Sequence, residues 1–351
     1  MKIIHCADLH LGSQMKKFLD VKADERRREI RSTFERTVAY AKDNGIKAIL
    51  LSGDVFDSDR PFKKDKEYFY SVVKLNPEID FYYLRGNHDS REGYTEEIGN
   101  LKIFTDSWSY YDLGEGVTVA GLEISSGNCL SMYSSLSLPA GGVNIVMLHG
   151  NFGDDTGDGL INKLKLRDKN IDYLALGHIH SFKSEKIDDR GTAVYSGCLE
   201  GRGFDEVGVK GFVIYDTSKK EYEFKPFAYR TVEECDVDIT GAQDLYEAAR
   251  KIKSLVSVDK NNLLRINLTG TVNRIDENFA KEIEGELPGF CYCVSVKDKT
   301  RLKIDYSALQ DSKSLKGEFL RCVMADEELD DDERQKISDL GLKALSGQVD
   351  E

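Results

Sequence analysis

Five short apolar runs in the first half of this chain end alike, each leading directly into aspartate, asparagine or histidine. Lys2–Cys6 leads to Asp8-Leu9-His10 and Ala48–Leu51 to Ser52-Gly53-Asp54. Phe81–Leu84 leads to Gly86-Asn87-His88-Asp89, Asn144–Leu148 to His149-Gly150, and Asp172–Leu176 to Gly177-His178-Ile179-His180. Runs of this length and composition read as buried strands. In α/β proteins, ligand sites gather where such strands deliver polar residues at their carboxyl ends. Of the six histidines in the chain, only His5 falls outside these motifs, within the first run, where it reads as a hydrogen-bonded core residue.

Between the runs, Ile30, Phe34, Val38 and Ala41 recur at the three- and four-residue spacing of an amphipathic helix, which Asn44-Gly45 ends. A second helix is expected from about Lys64 to Lys74. Strands at Ala193–Ser196, Gly211–Asp216 and Tyr222–Phe227 would complete a two-sheet α/β core. A shift in composition near Thr231–Asp238 marks a boundary. Beyond it the pattern is a small α+β module: helix Ala242–Leu255, strand Leu263–Leu268, helix Asp276–Ile283, then strands Cys291–Val296 and Leu302–Ile304. From Leu315 two amphipathic helices are expected. The organisation read from this pattern is 1–230, 231–310 and 311–351, in keeping with a 351-residue chain that exceeds one typical core.

No apolar run approaches a membrane span, and Asp8 comes too early to leave room for a signal-peptide apolar region. The seven cysteines contain no CxxC pair, so a reduced, cytoplasmic setting is expected; Cys291 and Cys293 read as core thiols on one strand face. The net charge of −13 argues at first against a nucleic-acid partner. More than half of that excess is C-terminal, where ten acidic residues from Asp326 to Glu351 face Arg334, Lys336 and Lys343. Two basic stretches, Lys16–Arg36 and Arg60–Lys66, follow the first two motifs and read either as solvated helix faces or as contacts to a phosphate backbone. Trp108 and the clusters Tyr68-Phe69-Tyr70 and Phe81-Tyr82-Tyr83 read as packing residues, with a dimer contact also open for Trp108.

The residue types suit phosphodiester hydrolysis. Two divalent ions about 3.5–4 Å apart clamp a phosphate and acidify a water, and a carboxylate must bridge them. Asp54 is the best bridging candidate. Asp8 and His10, one residue apart, would project to the same side of an extended strand end, and His178 and His180 repeat the spacing. Asn87 offers a neutral oxygen, while His88 beside it can stay unligated and handle protons. Nitrogen and oxygen ligands without thiolate suit manganese, iron or zinc and disfavour magnesium.

In this order, DxH, GDVFD, GNHD, HG and GHIH resemble the calcineurin-like metallophosphoesterase superfamily. Ala7–Gly12, Gly53–Asp57 and Lys210-Gly211-Phe212 are similar to its SbcD-type DNA double-strand-break repair exonucleases, in a divergent bacterial branch. The resemblance implies a two-sheet sandwich flanked by helices, a DNA-capping α+β domain and a helical tail. One ion would be held by Asp8, His10, Asp54 and His180, the other by Asp54, Asn87, His149 and His178. His88 would be the general acid on the 3′-oxygen, with Asp57 and Asp89 orienting neighbouring groups. Some homologues carry histidine at the position of Asp57. The resemblance further implies manganese, 3′→5′ exonuclease and single-strand endonuclease activity, a homodimer, and an SbcC-type coiled-coil ATPase docked on the C-terminal helices. Gly201-Arg202-Gly203 departs from that family's Glu-Arg pattern, and Arg202 reads either as a phosphate contact or as a structural salt bridge. A phosphomonoesterase, a cyclic-nucleotide phosphodiesterase and a non-catalytic scaffold are the competing readings; the ligand set with an intact His88 argues against the last, and the extra modules argue against the first two.

Overall fold

The computed structural model describes residues 1–15, 20–89, 98–272, 278–302 and 312–345. Two six-stranded sheets form its centre. In chain order their strands are β1 (Lys2–Cys6), β2 (Ala48–Ser52), β3 (Asp80–Leu84), β4 (Leu101–Ile103), β5 (Ser109–Asp112), β6 (Val117–Gly121) and β7 (Val143–His149). A short pair, β8 (Asn151–Gly153) and β9 (Leu160–Asn162), precedes β10 (Tyr173–Gly177), β11 (Lys183–Lys186), β12 (Thr192–Tyr195), β13 (Gly211–Asp216) and β14 (Glu221–Pro226). One sheet has the order β14-β13-β1-β2-β3-β4 and the other β11-β12-β10-β7-β6-β5. β1 to β4 are parallel neighbours, as are β6, β7, β10 and β12, so both sheets point carboxyl ends the same way along their centres. The fold is mixed α/β with two multi-strand sheets, as the sequence pattern requires.

The strand sequences explain the layering. Ile3, Leu50 and Leu84 alternate with Ile4, Leu51 and Tyr83. The first set packs with Ile145, Met147, Tyr173 and Val213 in a core between the two sheets. The second set packs under helices α1 (Asp20–Asp43) and α2 (Lys63–Lys74), where Ile30, Phe34, Val38, Phe69 and Val73 are buried. The outer face of the other sheet is covered by α3 (Met132–Ser135), α4 (Lys163–Leu166) and the loops around them. α1 stops where expected: Gly45 takes φ +65° and its amide bonds Lys42 O, a left-handed helix end that glycine adopts without Cβ strain. Strands β4 to β6 are absent from the sequence expectation. Ser109–Asp112 alternates half-buried and exposed, and edge strands of this kind write no apolar run.

The basic stretch on α1 is mixed: Arg28 is exposed and Arg27 half-buried beside the exposed Asp24, while other arginines are held in the fold. Arg26 is fully buried, with its guanidinium on Glu29, Glu200 and the carbonyl of Gly201. Arg31 pairs with Asp65, and Arg36 stacks on Phe227 and Tyr229. Lys16 and Lys17 lie outside the described residues.

Further along come β15 (Val232–Asp238), α5 (Leu245–Leu255), β16 (Leu263–Thr269), β17 (Thr271–Val272), α6 (Phe279–Gly285), β18 (Cys293–Asp298) and β19 (Arg301–Leu302). β15, β16 and β18 form a three-stranded sheet in that order. Asp276 and Ile304, the ends of two expected elements, lie outside the described residues. The tail helices are α7 (Leu315–Ala325) and α8 (Asp331–Leu345), and Ser314 caps the first by accepting from Gly317 N. The chain divides into two compact units. One comprises Met1–Cys235, Ser257–Ile266 and Pro288–Ser295; the other comprises the described residues of Asp236–Val256, Asn267–Leu287 and Val296–Glu351. No described helix is long and apolar enough to cross a membrane. All seven cysteines are free thiols, and Cys291 is buried while Cys293 is half-buried.

Candidate metal centre

The five motifs meet where the carboxyl ends of β1, β2, β3, β7 and β10 come together. Asp8 and His10 share a side, but not through strand pleating. β1 ends at Cys6, and Asp8 and His10 sit in the left-handed region at φ +52° and +48°, as do Asp54 at +52° and His178 at +101°. The loops after β1 and β2 are laced together by Asp8 N→Gly53 O (3.0 Å), His10 N→Asp54 O (3.0 Å) and Leu11 N→Val55 O (2.8 Å). That lacing holds conformations that cost an L residue roughly 1–2 kcal/mol each. Glycines let the loops close: a Cβ on Gly86 would lie 2.1 Å from Asp54 Oδ1, and one on Gly177 only 1.9 Å from Ser52 O.

The imidazole and carboxylate atoms converge. His10 Nε2 is 3.2 Å from His180 Nε2, and the ligand atoms of Asp8, His10 and His180 all lie within 4.8 Å of one another. The same holds for Asp8, Asp54 and His149. Asp54 Oδ2 is 3.4 Å from His149 Nε2 and 3.9 Å from His10 Nε2. Asn87 Oδ1 lies 3.0 Å from His149 Nε2 and 3.2 Å from His178 Nδ1. All seven residues named for the two ions are thus gathered at one place. With their Nδ1 atoms turned to Asp57 and Glu206, neutral His10 and His180 rings would face each other with two Nε2 lone pairs, an arrangement that a shared cation would relieve. The donor set of imidazole, carboxylate and amide oxygen fits divalent ions.

Every ring is oriented from behind. His10 Nδ1 is 3.1 Å from Asp57 Oδ1, and His180 Nδ1 is 2.7 Å from Glu206 Oε1. His149 Nδ1 donates to Ser52 O at 2.9 Å, and His178 Nε2 is 3.1 Å from the side-chain amide of Asn151. The acceptors behind His10, His180 and His149 fix which ring nitrogen is left to bind a metal. Glu206, Asn151 and the Ser52 carbonyl were not among the sequence candidates. Asp89 acts on backbone: it accepts from Phe56 N (2.8 Å), Val55 N (3.2 Å) and Gly86 N (3.0 Å), joining the loops after β2 and β3. Arg202 makes ion pairs with Asp57 and Glu206. His5 is buried and bonds Tyr173 Oη at 2.8 Å; Trp108 donates to Met132 O.

The electrostatics suit cations. Burial would raise the Asp54 carboxyl, but the hydrogen bond and charge of His149, with His10, hold it well below the usual range. Burial raises Asp8 to about 6 against the pull of His149 and His180, and lowers His10 to about 4 despite Asp57. Burial would lower His149, yet its bond to Asp54, with the charges of Asp54 and Asp8, raises it to about 9. A folded-state value raised from 6.5 stabilises the metal-free fold fully below that pH and is lost as the pH climbs through 9. Scanning fluorimetry in chelator should therefore show the melting temperature falling between pH 6.5 and 9, and Asp54→Asn should flatten that slope. An equal slope in both proteins would refute the coupling.

Beside the centre, a cavity of about 580 Å³ is lined by Asn87, His149, His178 and Asn151, with the Arg85–Glu123 ion pair on its wall.

Comparison with known proteins places this geometry. The whole chain is similar to the DNA double-strand break repair protein Mre11 of Sulfolobus acidocaldarius, at 24% identity covering 100% of both chains. It is 22% identical to the protein of that name from Thermoplasma acidophilum, over 98% of this chain and 93% of the relative. The Haloferax volcanii protein is 25% identical over 100% of this chain and 76% of its own length. Residues 1–182, more than half of the chain, match the calcineurin-like phosphoesterase family. The chain belongs to the calcineurin-like phosphoesterase family.

Proposed function

We propose that this protein is a two-metal DNA nuclease of double-strand-break repair, removing nucleotides 3′→5′ and cutting single strands internally. The observation that carries the reading is the reach of the similarity. Relatives named as DNA double-strand break repair proteins align over the entire chain, well past the phosphoesterase match that ends at residue 182. A minimal phosphatase would need no such additional residues.

Asp8, His10, Asp54 and His180 would hold one divalent ion, and Asp54, Asn87, His149 and His178 the other. Bound there, the ions, taken as manganese with iron or zinc as alternatives, supply Lewis acidity to the phosphoryl oxygens and lower the pKa of water. The protein's own groups do the rest. Asp54 keeps its negative charge between the two sets of rings, and Asp57, Glu206, Ser52 and Asn151 keep the rings turned inward. His88, exposed at the rim and 5.2 Å centroid to centroid from the His10 ring, delivers a proton to the departing 3′-oxygen. Residues 231–310 are assigned to capping DNA over the site. Residues 311–351 are assigned to docking an SbcC-type ATPase; Leu315, Ile337, Leu340 and Leu345 are exposed on α7 and α8. The acidic run there calls for an electropositive partner face. The active form is taken as a homodimer in the cytoplasm.

The test uses the purified protein with manganese on linear duplexes labelled at one 5′ end. A ladder shortening from the 3′ end is the expected result. Mononucleotide-sized phosphodiesters or phosphomonoesters hydrolysed far faster than any DNA would sink the nuclease reading.

A further inference from the structure

Arg202 spans two carboxylates brought together from distant parts of the chain. Its Nη1 donates to Asp57 Oδ1 at 2.6 Å, while Nε and Nη2 donate to Glu206 Oε1 at 3.0 and 2.9 Å, with Nη2 also 3.3 Å from His180 Nδ1. Behind each carboxylate oxygen stands an imidazole. The oxygen on Asp57 is 3.1 Å from His10 Nδ1 and the one on Glu206 is 2.7 Å from His180 Nδ1. The far nitrogens of those two rings are the pair that converges at 3.2 Å. Across Asp54 the pattern differs, because His149 is backed by the Ser52 carbonyl and His178 by the Asn151 amide, both neutral. Carboxylate backing makes an imidazole more basic and fixes its tautomer. Two largely buried carboxylates this close would repel unless a cation lay between them. The planar guanidinium fork reaches both at once, which a lysine ammonium cannot do in the same geometry. Arg202 side-chain exposure is only 23%, so its donors are directed inward.

We propose that Arg202 is a positioning residue which, by clamping Asp57 and Glu206 together, fixes His10 and His180 as ligands of one of the two ions. The proposal rests on the two-metal reading and goes beyond it, assigning a clamp to one half of the centre only. It also carries a sign. Removing a cation beside a metal site would by Coulomb attraction alone tighten metal binding, whereas loss of the clamp loosens it.

The experiment is a calorimetric titration of manganese(II) into the metal-free full chain, with ¹⁵N spectra of the histidine rings. Wild type should bind two ions, with His10, His180 and His149 protonated at Nδ1 before metal is added. Arg202→Met and Arg202→Lys should each weaken one ion by about 10–100-fold and leave the other unchanged. The fixed tautomer should be lost at His10 and His180, while the ring signals of His149 stay unchanged. Asp57→Asn, which cuts the link to His10 alone, should weaken the same single ion if the Arg202 variants do not fold. Tighter binding, equal weakening of both ions, restoration by lysine, or an unchanged titration overturns the clamp while leaving the two-metal reading standing. A wild type that binds no ion overturns both.

Discussion

Asp54→Asn is expected to strip the centre of both ions and to lower DNA hydrolysis by about 10³-fold or more, the several kcal/mol that the ions supply. Asp54 lies between the two halves, with Oδ2 3.4 Å from His149 Nε2 and 3.9 Å from His10 Nε2. Its other oxygen accepts from His88 N at 2.9 Å, tying the loop after β3 to the loop after β2. Asparagine keeps the shape and that acceptor and tolerates the left-handed backbone at φ +52°. What it loses is the charge, and with it the reason His149 is raised to about 9. Elemental analysis after dialysis against manganese, run beside a nuclease assay, measures both effects. Retention of two ions by a folded variant would show that Asp54 is not the bridge.

The sequence was legible where burial was complete. β1, β2, β3, β7 and β10 carry apolar side chains on both faces, so each is written as a continuous run, and the polar residues after it stand out. Register then brings Asp8, Asp54, Asn87, His149, His178 and His180 to one edge. The conformation that presents them was not legible, because an Asp-x-His spacing fits an extended strand end as well as two left-handed residues. Partial burial hid the rest. β5 alternates half-buried and exposed residues, and β15, with the sequence VEECDVD, looks like a charged linker because only Val232 and Val237 are buried. Buried charges are the hardest to foresee. Arg26 stands in a run of arginines and glutamates that any solvated helix could carry, and its partner Glu200 is 174 residues away. Glu206 likewise gains its meaning from His180, 26 residues before it, and stands in a segment after β12 with no periodicity to announce the contact. The Asp57–Arg202 pair shows how the two kinds of reading join. A carboxylate where some homologues carry histidine, and an arginine displaced from a Glu-Arg pattern, are separate oddities in the sequence and one ion pair in the fold.

The last expectation concerns His88, the one motif histidine that faces the others without joining them. Its ring meets His10 at 75° with centroids 5.2 Å apart, and among the described residues it makes no side-chain hydrogen bond. Its backbone N–H, not its imidazole, reaches Asp54. A ring so placed is solvent-exposed and close to the ligand cluster without being oriented from behind, as His10, His149, His178 and His180 all are. Those features suit a group that moves a proton better than one that holds a metal. His88→Gln should therefore keep both ions and lose about 10²–10⁴-fold in rate on DNA, whose 3′-alkoxide must be protonated as it leaves. The loss should shrink on a phosphodiester with a p-nitrophenolate leaving group, which departs without a proton. A loss of the same size on both substrates would remove His88 as the acid, and a variant holding fewer ions would make it a ligand instead.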